Sequence, residues 1–149
     1  MLRRHKRPDM AEDCIFCRIV AGDIPGRIVA ETDHAVAFLD ANPLAPGHTL
    51  VVPREHYARL DEIPAEEAAD LFAAVHELTD SVEAAVDADA VSIGINDGEA
   101  AGQEVPHTHV HLVPRFEGDG GGPFHAINPN SEQPADAELD EIADAIREV

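Results

Sequence analysis

Gly102-Gln103-Glu104-Val105-Pro106-His107-Thr108-His109-Val110-His111-Leu112-Val113-Pro114-Arg115 is the stretch on which the reading of this chain turns. From His107 to Val113 every second residue is His and the residues between are Thr, Val and Leu. That is the period-two alternation of a strand with one apolar face and one chemical face. At a rise of about 3.3 Å per residue, neighbouring imidazoles in the row start roughly 6.6 Å apart at their backbones. His107, His109 and His111 are therefore expected on one side of a strand from His107 to Val113. A clustered His tract can be a metal site, a polar strand face, or a set of catalytic groups. Spacing alone leaves these open, though a nucleophile, a polariser and an orienter fit the row at least as well as a metal does.

Outward from this strand, Val91, Ile93 and Ile95 alternate with Ser92, Gly94 and Asn96, a strand expected to face the core on alternate residues. The Gly-bearing loop from Asp97 to Val105 makes the two strands a hairpin and brings Asn96, Gly102 and Gln103 to the edge of the histidine row. Thr49 to Val52 reads as another strand, stopped by Pro53. Ile28 to Ala30 and Val36 to Phe38 read as a hairpin around Thr32-Asp33-His34. From Pro64 to Val86 apolar residues recur at three- and four-residue steps, an amphipathic helix with Pro64 in its first turn and Glu66 and Glu67 near its positive end. Leu139, Ile142 and Ile146 suggest a short final helix in a loop-rich tail. The expected architecture is an α+β domain over residues 14–115, a five-stranded antiparallel sheet with one long helix and short terminal helices. Residues 116–149 follow as a tail.

The chain carries 30 Asp plus Glu against 10 Lys plus Arg, a formal net charge of −20. Four of its basic residues, Arg3, Arg4, Lys6 and Arg7, sit in a leader over residues 1–13, expected to be a disordered arm or an over-long gene start. A surface this acidic argues against nucleic-acid and anionic-membrane binding, because phosphate contacts need basic patches. A small nucleotide remains compatible, since local donors can outweigh the global field. No apolar run approaches the length of a membrane span, and the expectation is a cytoplasmic protein. The acidic, lysine-poor composition is what a salt-loaded cytoplasm favours, so a halophilic host is expected.

Cys14-x-x-Cys17 in a chain read as cytoplasmic points to a metal knuckle or a redox pair. The following Ala21-Gly22-Asp23-Ile24-Pro25-Gly26 does not offer the βαβ context of a thioredoxin-type pair. A tetrahedral zinc site would need two further ligands. Asp40, at a strand end, can accept hydrogen bonds from two adjacent hydroxyls, the geometry of a ribose. Phe38 reads equally as a core residue or as the wall of a base pocket. His48 is either a turn histidine or part of a site beside the row, whereas His34, His76 and His125 match no motif.

The string His107-Thr108-His109-Val110-His111-Leu112-Val113 resembles the signature of the histidine triad family, His-x-His-x-His followed by apolar residues. The resemblance extends to Gly102-Gln103, Phe38-Leu39-Asp40, Gly47-His48-Thr49-Leu50-Val51-Val52-Pro53 and Cys14-Ile15-Phe16-Cys17, so it spans roughly Cys14 to Arg115. It implies a nucleotide hydrolase that releases a nucleoside 5′-monophosphate, preferably of a purine, from an amine or phosphate leaving group, and a homodimer. It implies that His109 is the nucleophile and that His111 and His48 donate to phosphoryl oxygens. Gln103 and nearby amides would hold the leaving group, Asn96 and Gly102 would border the phosphate or ribose, Asp40 would bind the ribose and Phe38 the base. It further implies a structural zinc on Cys14, Cys17, His56 and His107, with no organic cofactor. A nucleotidyl transferase and a nucleotide-binding regulator with little turnover are the alternatives. Glu104 departs from the pattern, where many relatives carry Ser or Thr, and is expected to point to solvent.

Screening sets the first prediction. At molar salt the Debye length falls to about 3 Å and the self-repulsion of this surface is relieved. Thermal unfolding followed across a potassium chloride titration should therefore show higher stability in molar salt; greater stability in dilute buffer would remove the halophilic reading.

Overall fold

The computed structural model describes residues 13–148. The expected leader lies outside the described residues except for Asp13. The chain divides into two compact units, one ending at Asp119 and one beginning at Gly120. In the first, the elements run α1 (Ile15–Ala21), β1 (Ile28–Glu31), β2 (Ala35–Leu39), β3 (Thr49–Pro53), α2 (Ala65–Val86), β4 (Ala90–Gly94) and β5 (Val110–Arg115). The five strands form one antiparallel sheet, as expected from the sequence, and their order in it is β1-β2-β3-β5-β4. The second unit carries α3 (Asp136–Glu148), whose Leu139, Ile142 and Ile146 are exposed within it.

Both faces of the sheet are covered, which is why β2 and β3 are almost continuously buried rather than alternating. On one face Ala35, Ala37, Val51, Val110 and Leu112 meet Leu71, Ala74, Val75 and Val82 of α2. The alanines of β2 put little bulk between this 22-residue helix and the sheet. On the other face Val36, Phe38, Leu50 and Val52 pack with Cys14 and Phe16, at and just after the start of α1. The histidine row lies on the α1 face, because Val110 and Leu112, which alternate with it, belong to the α2 face.

α2 begins at Ala65, with Pro64 as its N-cap rather than in its first turn. It ends at Asp87, whose φ of 54° closes the helix in the left-handed region. Gly26, ahead of β1, allows a close approach: a Cβ there would lie 2.6 Å from Cγ2 of Ile19, so the chain passes α1 at a distance only glycine permits.

Two expectations are corrected. The last strand begins at Val110 rather than His107, and runs on to Arg115. The reason is the bonding of Thr108: its N–H and its hydroxyl both donate to the Tyr57 carbonyl, at 2.7 and 3.0 Å, and β5 joins β3 only from Val110 opposite Val51. His107 and His109 thus sit in an irregular segment ahead of the strand. β4 is an edge strand, and Ile93 is 38% exposed instead of core-facing, whereas Val91 and Ile95 do pack against the core.

Candidate functional site

The site is assembled where the irregular segment 107–109 crosses the start of α1 and the loop after β2. His107 is fully buried, and its Nε2 lies 2.9 Å from the Pro53 carbonyl. A carbonyl only accepts, so Nε2 carries the proton and Nδ1 is left with a lone pair. That lone pair faces Cys14 Sγ at 3.3 Å and Cys17 Sγ at 3.4 Å, while His56 Nδ1 lies 3.4 Å from Cys17 Sγ. The four ligand atoms lie within 4.8 Å of one another.

Cys14, Cys17, His56 and His107 could hold a metal ion, and two observations support the fit. Tetrahedral bonds of about 2.3 Å to sulfur and 2.05 Å to nitrogen would separate S and N by roughly 3.6 Å, close to what is seen. His107 also donates its other N–H to a carbonyl, the usual support of a ligating histidine. Burial above all holds the His107 imidazole down at about 4, with His56 and His109 adding to it and the Pro53 carbonyl opposing, so the ring is neutral as a ligand must be. Burial likewise pushes the Cys17 thiol up to about 12, reinforced by Cys14 and Glu55.

The backbone of the same residue reaches the next histidine. The His107 carbonyl lies 2.7 Å from His109 Nδ1, which must donate, leaving Nε2 of His109 with its lone pair. Phe16 stands edge-on to this ring at 5.0 Å between centroids and helps bury it. Burial lowers the pKa of His109 below the usual imidazole value, against the raising effects of the His107 carbonyl and Asp40.

His48 and His111 form a second ordered pair. The Leu44 N–H donates to His48 Nδ1 at 3.0 Å, so neutral His48 carries its proton on Nε2 and passes it, at 3.0 Å, to His111 Nδ1. His111 is thereby left with an N–H on Nε2. Burial, with His109 and His48 behind it, lowers His111 to about 4. Burial lowers His48 as well, with Asp40 partly opposing. On β5 His111 stands between Leu50 and Gly94 in the sheet register, and Gly94 puts no side chain beside it.

Asp40, His48 and His111 also converge closely enough for a metal. Here the direction of the hydrogen bonds speaks against one. A ligating His48 would need a proton on Nδ1, where the Leu44 N–H already points. The two clusters are told apart by what stands behind the rings.

His109, His111, His48, Asp40 and Phe38 border one cavity of about 400 Å³, whose apolar walls include Phe16. Phe38 is a core residue, 2% exposed, and it also lines the cavity. Asp40 Oδ1 accepts the Asn42 N–H at 2.9 Å, and Oδ2 lies 3.7 Å from His48 Nε2. His48 has both nitrogens engaged within the protein, so it orients His111 rather than offering a free donor.

The structure does not bring Asn96 or Gly102 to this cavity. The carboxamide of Gln103 is already engaged: it accepts from Gly98 N–H and donates to the carbonyls of Ala58 and Val105, which fastens the loop ahead of the histidines. It borders a neighbouring hollow instead. Glu104, expected in solvent, is exposed yet borders the cavity of His109. Arg27 on the cavity wall, Leu44 behind His48 and Tyr57 behind Thr108 were not signalled by motif or period.

Comparison with known proteins follows the same residues. The family model described as HIT domain matches residues 21–118. An uncharacterized HIT-like protein of Methanocaldococcus jannaschii is 49% identical over 107 residues, 72% of this chain and 82% of that protein. An adenosine 5′-monophosphoramidase of Schizosaccharomyces pombe is 41% identical over 102 residues, 68% of this chain and 74% of that protein. The solved structure of a zinc-bound histidine triad family protein from Mycobacterium smegmatis matches with a TM-score of 0.71 at 32% identity, over 89% of this chain and 99% of that one.

The neutral state of His111 has a pH signature. Its folded value, about 4, lies below the ordinary 6.5, so the unfolded chain takes up the proton first as pH falls. Its contribution to stability is complete above pH 6.5 and is lost progressively down to about 4. Urea unfolding at a series of pH values should show a shallower loss across this window in His111→Asn than in the parent protein. Equal slopes would mean that His111 is not held neutral by its surroundings.

Proposed function

The chain belongs to the HIT domain family, and from that premise we propose that it is a nucleotide hydrolase that releases a nucleoside 5′-monophosphate through a covalent intermediate on His109. The observation that carries this reading is the 2.7 Å contact of His109 Nδ1 with the His107 carbonyl, which leaves an unprotonated Nε2 on a ring that borders the cavity. A neutral imidazole is a competent nucleophile toward phosphorus and divides one hard displacement into two easier ones. Its Nε2 lone pair forms the bond to phosphorus. The bond from phosphorus to the leaving group breaks, and the leaving atom departs with that electron pair and takes a proton from solvent. Water then attacks phosphorus, returns a proton to solvent, and frees His109 and the monophosphate.

The other residues hold the substrate. His111 offers its Nε2–H to a phosphoryl oxygen, where charge builds up as the geometry changes, and His48 keeps that donor in place. Asp40 retains acceptor capacity beyond its bond to Asn42 for the two ribose hydroxyls. Phe38 and Leu50 give the base, a purine in this reading, an apolar wall. The adenosine 5′-monophosphoramidase of fission yeast supports an amine as one leaving group. Cys14, Cys17, His56 and His107 would hold a zinc ion, which would tie the start of α1 to segment 107–109 and serve a structural role. A homodimer and a cytoplasmic location complete the reading; no helix among the described residues is long and apolar enough to cross a membrane.

AMP release from adenosine 5′-phosphoramidate and from a diadenosine polyphosphate tests the reaction. The parent protein should turn over at least one of them, and His109→Ala should lose at least about a thousandfold while still binding AMP. A folded parent protein that binds AMP and releases none from either would instead be a nucleotide-binding regulator. Metal analysis tests the other site. The expected result is about one zinc per chain, with a lower Tm after chelation; protein free of zinc, with a Tm indifferent to added zinc, would remove it.

A further inference from the structure

Beside the cavity of His109 lies a second hollow of about 620 Å³, bordered by Arg59, Gly98, Glu99, Gln103 and Pro106 among others. Glu104 is the residue that borders both. We propose that Glu104 is a specificity-determining residue that selects leaving groups bearing a positive charge, received by this second hollow. The substrate class is the nucleoside 5′-phosphoramidates of diamines, polyamines or basic side chains. This deepens the hydrolase reading and rests on it.

Three observations carry the assignment. Asp40, Phe38 and Leu50 line the first cavity, and in the proposed function they take the ribose and base, so whatever is attached beyond the phosphorus must leave by another part of the wall. Glu104 stands at the boundary that leads to the neighbouring hollow. The rim of that hollow is acidic: Glu99 and Glu104 both border it, and Arg59, the cation on the rim, has its Nε 3.3 Å from Asp97 and is half exposed. The Gln103 carboxamide, the other polar side chain there, is engaged on both its oxygen and its nitrogen within the loop. A leaving group with a distal ammonium would find a carboxylate one residue from the strap that holds Gln103. A phosphate or polyphosphate would meet like charge. A hydroxyl side chain at position 104 would make no such distinction.

The test compares AMP amidates of three amines of similar length: 1,3-diaminopropane, butylamine and β-alanine, which end in a cation, a methyl group and a carboxylate. In about 0.1 M salt, where charges within roughly 10 Å still interact, kcat/KM should fall in that order. Each step should be about fivefold, the size expected for one exposed charge pair. Glu104→Gln should bring the three values together and Glu104→Lys should reverse their order, which a loss of packing alone would not do. A parent protein that hydrolyses all three without preference would overturn the proposal and leave the hydrolase standing. A preference that survives in Glu104→Gln would also overturn it, by placing selection elsewhere. Folded protein that hydrolyses none of the three, with Tm unchanged among variants, would remove the phosphoramidase reading itself.

Discussion

The hydrogen bond between His109 Nδ1 and the carbonyl of His107 is the constraint on which the rest of the site depends. Its acceptor belongs to a residue whose own ring is held between Pro53 and the two cysteines. The ring and the carbonyl of His107 are thus both held, the ring by Pro53 and the cysteines and the carbonyl by His109. Strand β3, the start of α1 and segment 107–109 meet in this one residue. The Cys14, Cys17, His56 and His107 cluster and the ring of His109 are therefore linked through one residue. A disturbance of Cys14 or Cys17 can reach His109 through the His107 backbone and through Phe16, which stands edge-on to both rings.

Burial supplies the second condition. The α1 face of the sheet is a core in its own right, with Phe16, Phe38 and Leu50 around the imidazoles. Taking an imidazolium out of water is costly, so His48, His107, His109 and His111 are all pushed toward their neutral forms. Neutrality makes hydrogen-bond direction meaningful: each ring has one donor and one acceptor, and fixed partners decide which is which. A packed apolar face thereby sets the protonation of a polar site.

The strands and the long helix were legible in the sequence because periodicity reports them directly. The gathering of Cys14, Cys17, His56 and His107 was legible only through the family resemblance. What was not legible are bonds between residues far apart in the chain. Alternation placed the strand start at His107, but the double bond of Thr108 to the Tyr57 carbonyl withdraws that segment from the ladder. Gln103 reads as a ligand by its place beside Gly102, yet its amide is consumed by Gly98, Ala58 and Val105. By resemblance His48 reads as a phosphate donor, yet its Nε2–H is given to His111. Each of these was a matter of which way a donor points, and composition carries no direction.

The row from Leu44 through His48 to His111 has a head and a tail, since each ring accepts on Nδ1 and donates from Nε2. Asp40 stands at the side of this row, its carboxylate and the two rings lying within 4.8 Å of one another. While ionised it only accepts. Donor and acceptor thus sit side by side at one corner of the cavity. Under the proposed chemistry a phosphoryl oxygen and a ribose hydroxyl reach that corner together only when they belong to adjacent groups of one nucleotide, which favours the phosphorus next to the ribose as the atom brought to His109.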